Sequence, residues 1–251
     1  EQSNSGAMVY MSAPAIGFDA VTRSVGSETS GGLQFRWDDG DIVGVYSGKG
    51  SMSTFRLTGG EGTSRGVFDG GGFDLRRGEG YHALYPYDGL AADINDIELS
   101  YDGQILSTDL DKSHVGRHDF MSSYAVVDES GNAEFSFRHL GSFVRMSLES
   151  GCDTVLESLE LIPHSGTIVT DVSYDLGNGS FGRTSSKASL KAELTDSRIS
   201  EGGDVSLWMA LPSQDLSGRG LSAVFRSGDG RILSSRLEGR NLQVSRAYSL
   251  D

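Results

Sequence analysis

Alternation of apolar and polar residues with a period of two runs through most of this chain, and no stretch of ten residues carries the spacing of an amphipathic helix. The cleanest case is Val205 to Leu211. Val205, Leu207, Met209 and Leu211 share one face, Ser206, Trp208 and Ala210 share the other, and Pro212 ends the run. A segment of this kind buries one face as an extended strand. Comparable runs occur at Met52–Leu57, Gly66–Phe68, Tyr81–Tyr85 before Pro86, Phe120–Val127, Val155–Ile162 before Pro163, Thr167–Tyr174 and Lys187–Leu194. The 35 glycines supply the turns between them. Asp38–Asp41 and Tyr101–Gln104 read as hairpin turns, as does Ser227–Gly230 between Leu221–Phe225 and Arg231–Leu237. With no crossover helices, a parallel βαβ architecture is excluded. Strands spaced about 8–12 residues apart predict an all-β, antiparallel sandwich architecture.

Glu134–Glu149 organises the rest. Phe135 and Phe137 alternate with Ser136 and Arg138, the pattern breaks at Leu140–Ser142, and Val144, Met146 and Leu148 resume it. The turn-forming Ser130-Gly131-Asn132 just before it predicts two tandem domains, residues 1–131 and 132–251, each near the commonest domain size. Residues 1–15 show little pattern and are expected to be a flexible lead. The first strand is expected at Ile16–Ala20, with Ile16, Phe18 and Ala20 inward and a glycine between. Arg23 and the Gly/Ser-rich Gly26–Gly32 follow, a combination suited to proteolysis; Arg23 also reads simply as a solvated residue at a strand end. Leu242, Val244, Tyr248 and Leu250 are expected to form one last strand.

Charge narrows the function. Residues 1–131 hold 9 basic and 20 acidic side chains, net −11, against −3 for the remainder. Such a surface repels phosphate backbones, so nucleic acid is not an expected partner. The single cysteine, Cys152, excludes an internal disulfide and any multi-cysteine metal site. No apolar run reaches the length of a membrane-spanning helix. The chain begins at Glu1 rather than methionine, with a polar opening, which leads us to expect an exported protein whose signal segment has been removed.

Catalytic chemistry needs a nucleophile with its base, or convergent carboxylates, on rigid elements. The chain has no Gly-x-Ser-x-Gly elbow, no His-Glu-x-x-His, no P-loop and no dinucleotide fingerprint, and its carboxylates lie mostly in glycine-containing turns. No enzyme activity, cofactor or metal is expected. His114 and His118 have the spacing of a helical zinc pair but an internal glycine and no third ligand, and read as loop histidines. The Asp38–Asp41 cluster lacks the ligand spacing of a calcium loop. Trp37, Tyr85, Tyr87 and Trp208 are the candidates for an aromatic platform on which a sugar could stack, as in a surface glycan-binding lipoprotein. A jelly-roll hydrolase would require two facing carboxylates in a cleft.

A set of motifs in order carries a resemblance: Val-Thr-Arg-Ser at 21–24, Phe-Arg-Trp-Asp-Asp-Gly-Asp-Ile-Val-Gly-Val-Tyr at 35–46, Tyr-His-Ala-Leu-Tyr-Pro-Tyr at 81–87, Asp-Phe-Met at 119–121, Phe-Ser-Phe-Arg-His-Leu at 135–140 and Arg-Ala-Tyr-Ser-Leu at 246–250. Together they resemble the fimbrillin-like proteins, subunits of type V pili in Bacteroides-type bacteria. The resemblance implies two antiparallel, transthyretin-like β-sandwich domains in tandem. It implies export as an outer-membrane lipoprotein and display in a surface fimbrium, with other fimbrial subunits and host or bacterial surface ligands as partners. It further implies that an arginine-specific protease removes the first strand and that a neighbouring subunit's strand refills the groove. Carried onto this chain, Ile16–Ala20 would be the removable strand, Arg23 the processing site, and Leu242, Val244, Tyr248 and Leu250 the candidate donor strand.

Overall fold

The computed structural model describes residues 8–16, 33, 35–48, 52–89, 93–108 and 114–250. They form an all-β protein with one 3-10 turn, His114–His118. In chain order the strands are β1 (Val9–Ser12), β2 (Ile42–Tyr46), β3 (Ser53–Gly59), β4 (Arg65–Asp69), β5 (Gly80–Tyr85), β6 (Ile97–Ser100), β7 (Gln104–Ser107), β8 (Met121–Val126), β9 (Ala133–Ser136), β10 (Arg138–His139) and β11 (Gly141–Glu149). There follow β12 (Thr154–Pro163), β13 (Ile168–Asp175), β14 (Ser180–Lys187), β15 (Leu190–Ile199), β16 (Asp204–Pro212), β17 (Gln214–Asp215), β18 (Gly220–Ser227), β19 (Ile232–Glu238), β20 (Asn241–Leu242) and β21 (Ala247–Leu250).

An eight-stranded sheet takes the order β10-β8-β5-β2-β3-β4-β1-β9. Its two edge strands, β9 and β10, are parts of one segment separated only by Phe137, so the sheet curls until its edges meet. Ser123 of β8 helps to close it by donating from Oγ to the Ser136 carbonyl at 2.8 Å. Inside lies a core of Val9, Met11, Trp37, Phe55, Phe68, Tyr81 and Phe135, each at most 2% exposed. Tyr81 and Ala83 point into this core and Tyr85 packs against it partly buried.

The remaining sheets, β16-β11-β21, β19-β18-β12-β15-β7, β14-β13-β6 and β17-β20, enclose a second core. The Ser227–Gly230 turn makes the expected hairpin, with β18 and β19 paired from Gly220↔Glu238 to Arg226↔Ile232. Tyr101–Gln104 does not. It sends β6 to pair with β13 and β7 to pair in parallel with β15 in another sheet. Gln104, fully buried, then binds these layers to β16: its amide donates to the Tyr101 and Ala210 carbonyls, and its carbonyl accepts the Ala210 N–H at 2.9 Å. A glutamine side chain here imitates a strand neighbour.

Hydrogen bonding therefore crosses the expected division at 131 in both directions. Strands β9 and β10, from beyond it, complete the first sheet, while β6 and β7, from before it, belong to sheets around the second core. The stretch Glu134–Glu149 serves both, closing the first sheet and then forming the central strand β11 between β16 and β21.

Two further expectations are corrected. The Asp38–Asp41 turn is present, with Gly40 at φ +87° and Asp41 N–H bonded to the Asp38 carbonyl, but residues 35–38 form no ladder with β2. The C-terminal strand is divided: Ser245 sits at φ +57° between β20 and β21 and donates its N–H to Gly141. The hydroxyl of Tyr248 accepts the Gln243 N–H, which fixes the bend.

Candidate functional site

Strand β1 lies within the residues expected to have no structure, and it is an interior strand. It pairs antiparallel with β4 on one side, where Val9 faces Phe68 and Met11 faces Gly66, and parallel with β9 on the other, where Val9 faces Ala133 and Met11 faces Phe135. Val9 and Met11 are at most 1% exposed and Ala13 follows them into the core. Outside, Tyr10 lies under the Arg65 guanidinium at 4.9 Å, and Arg65 reaches across the strand to Glu134 at 3.0 Å. That ion pair is largely solvated and contributes little.

Further contacts hold the segment from within. Trp37 Nε1–H donates to the Met11 carbonyl at 3.1 Å. The Trp37 ring is 1% exposed and meets Phe68, Tyr85 and Phe137 edge-on. Gly66 is required here, since a Cβ on it would come within 2.6–3.0 Å of Leu57, Phe68 and Trp37 side-chain atoms. Ala13 N–H bonds the Ser64 carbonyl, and Ser12 accepts the Phe137 N–H. Beyond Pro14 the chain passes to the second core, where Ile16 and Leu33 exchange two backbone hydrogen bonds of 2.9 Å. Ile16 thus forms an isolated bridge with Leu33. Phe18, Ala20 and Arg23 lie outside the described residues.

Between the two cores sits a buried acid–base pair. His139 Nδ1 lies 2.6 Å from Asp119 Oδ1, both side chains being 1% exposed. His139 Nε2 lies 2.9 Å from the Pro14 carbonyl. Phe35 at 4.7 Å and Phe143 at 6.0 Å wall the ring. Burial raises Asp119 above its ordinary range against the opposing influence of His139. Burial alone would depress His139, but the neighbouring carboxylate and the hydrogen bonds outweigh it and raise the imidazole above 6.5. A sequence signal existed: Phe135, Phe137 and His139 share the inward phase of one alternating run, which places a titratable ring in the core.

The aromatic platform is not formed. Trp37 and Trp208 are each 1% exposed and belong to different cores, and Tyr87 is 7% exposed. Tyr85 is spent on Trp37 and on a 2.9 Å hydrogen bond to Asp41. Alternation put Trp208 opposite Val205 and Leu207, but β16 is covered on both faces, so the polar phase is buried too. Tyr85 and Tyr87 do line a cleft of about 680 Å³ with Asp41, Asp88, Asp93 and Glu98. Of the two loop histidines, His118 faces the Ser100 carbonyl at 3.0 Å. Among the described residues no three His, Cys, Asp or Glu side chains converge as metal ligands.

Of the candidate donor residues, Leu242, Tyr248 and Leu250 are buried in the chain's own second core, and Val244 is exposed. Strand β21 runs parallel to β11, with Val144 opposite Tyr248 and Met146 opposite Leu250.

No protein-family model and no curated protein matches this chain. Solved structures do. A candidate cell adhesion protein from Bacteroides ovatus superposes with a TM-score of 0.62 at 18% identity, covering 97% of this chain and 90% of that one. A second, from Bacteroides fragilis, gives a TM-score of 0.53 at 14% identity, covering 97% and 91%. Fimbrial proteins of Bacteroides and related bacteria occur among the neighbours at lower scores. At these identities the likeness is one of fold.

Proposed function

We propose that this chain is a non-catalytic structural or adhesive subunit of a surface fimbrium, exported and held at the outer membrane as a lipoprotein, whose assembly is triggered by proteolysis and completed by strand replacement. In this reading the two cores correspond to two transthyretin-like sandwiches in tandem. The observation that carries it is the position of β1, an interior strand near the chain start that is held between β4 and β9. Arg23 falls between Ile16 and Leu33 in the sequence. A cut after it leaves residues 1–23 attached by noncovalent contacts alone.

The removable element in this proposal is β1 together with Ile16, rather than Ile16–Ala20. Burial of Val9, Met11 and Ile16 contributes roughly 1.5–3 kcal/mol each. A cut segment therefore stays bound until another strand displaces it. The incoming strand, from a neighbouring subunit, would hydrogen-bond to β4 and β9 and place apolar side chains where Val9 and Met11 sit. For Leu242–Leu250 to act as such a donor, β21 must first leave β11 and expose the second core, so we place donation in a detached state of that strand. The likeness of fold to candidate adhesion proteins supports the reading. With Trp37 and Trp208 buried, no observation favours the glycan-platform alternative.

The test is limited digestion with an arginine-specific protease, read by mass spectrometry and size-exclusion chromatography. The expected result is a first cut after Arg23, retention of the 1–23 fragment by the monomer, and its loss as larger assemblies form. Resistance of Arg23 in the folded chain, or cutting and fragment loss without assembly, would sink the mechanism.

A further inference from the structure

His139 stands between two groups that ask for the same thing. The Pro14 carbonyl can only accept a hydrogen bond, so Nε2 must carry a proton to satisfy it. Asp119 Oδ1 faces Nδ1 at 2.6 Å, and that contact holds only while one further proton lies between oxygen and nitrogen. The second carboxylate oxygen, Oδ2, is buried and accepts no hydrogen bond among the described residues, which disfavours a bare carboxylate. If the shared proton leaves, the imidazole has one N–H for two acceptors. The negatively charged carboxylate takes it, and a ring nitrogen lone pair is turned on the Pro14 carbonyl.

We propose that Asp119 and His139 form a one-proton latch on the first-strand segment, closed on Pro14 while the pair is protonated and open when it is not. Pro14 lies between Ala13, which ends the run packed in the first core, and Ile16, packed in the second, so opening it frees β1 at its C-terminal end. The same ring dictates what any strand occupying the slot must offer at the place of Pro14: a backbone carbonyl.

The direction with pH follows from counting protons. In the unfolded chain His139 loses its proton near its ordinary value of 6.5. The folded pair keeps one proton to higher pH, so the latch's contribution is complete below about 6.5 and is lost as pH rises through the folded value. Other titratable groups facing the pair are Tyr85 of β5 and Tyr101 after β6, with Asp41 behind Tyr85. Both phenols are pushed further up, chiefly by burial, and stay neutral through this range. The walls contributed by Phe35 and Phe143 carry no charge.

The test uses the intact, uncleaved chain, so its outcome is separate from that of strand replacement. Hydrogen exchange at pH 6 and pH 9 is measured by mass spectrometry and divided by the intrinsic rates. Peptides covering Val9–Ile16 are expected to lose about tenfold in protection at the higher pH, the size of one buried hydrogen bond, while β12, β15 and β18 keep theirs. In Asp119→Asn the carboxamide can donate to Nδ1 and leave Nε2–H on Pro14, so the step disappears and the segment stays protected at pH 9. Nitrogen-15 shifts of the His139 ring are expected to report protonation at both nitrogens at pH 6 and at Nδ1 alone at pH 9. Equal protection of Val9–Ile16 at the two pH values, or an undiminished step in Asp119→Asn, overturns the latch. Should that variant fail to fold, the ring shifts and exchange of the wild-type chain decide.

Discussion

Replacing Met11 with aspartate is expected to expel β1 from between β4 and β9 and to make the uncut chain assemble without any protease. Met11 is fully buried, opposite Gly66 on one side and Phe135 on the other. Removing the thioether forfeits packing worth about 2–5 kcal/mol, and a carboxylate in its place has no buried partner to offset its desolvation. The strand's total hold is of the same order, so the substitution acts mainly on β1. The expected readout is a shift to higher mass in light scattering after size exclusion, reversed at low pH where the carboxyl is protonated. Met11→Leu, which conserves volume, should remain monomeric. A monomeric Met11→Asp that keeps native exchange protection along Val9–Ser12 would contradict the proposed slot.

Trp37→Ala should lower the unfolding free energy by about 3–5 kcal/mol in a denaturant titration. The loss has two parts. The ring fills the space above Gly66 and meets three aromatic rings, so its removal leaves a void that those rings cannot close without shifting. The indole N–H also donates to the Met11 carbonyl at 3.1 Å, and that hydrogen bond is lost with the ring. Trp37→Phe separates them, keeping most of the volume while losing the hydrogen bond, and should cost a smaller part of the total. A loss below about 1 kcal/mol for Trp37→Ala would show that the first core can collapse around the gap. The same variant is expected to speed hydrogen exchange in β1 more than in β18 or β19, because the missing hydrogen bond belongs to the first strand.

Most strands could be read from the chain because alternation and turn residues act locally. Val205–Leu211, the Ser227–Gly230 hairpin and the run through Phe135 and Phe137 needed no knowledge of their neighbours. Strand β1 was harder. It has only four residues, Val-Tyr-Met-Ser, with an aromatic ring on the outward phase and Pro14 soon after, so its alternation is weak. Its membership in the sheet depends on β9, more than a hundred residues away in sequence. The aromatic platform failed for a related reason: the periodicity of β16 separates two faces correctly but does not say that both are covered.

From the sequence alone follow the all-β class, the inward phase of several of the longer alternating strands, the position of many turns and the absence of a familiar catalytic motif. These rest on residue spacing, on backbone conformation and on charge, all of which act over a few residues. Only the tertiary structure decided that β6 and β7 leave each other for different sheets, that β9 and β10 close the first sheet, and that Asp119, His139 and Pro14 meet. Such choices are set by which apolar faces bury each other and which polar groups find partners once buried, and those energies exist only between segments distant along the chain.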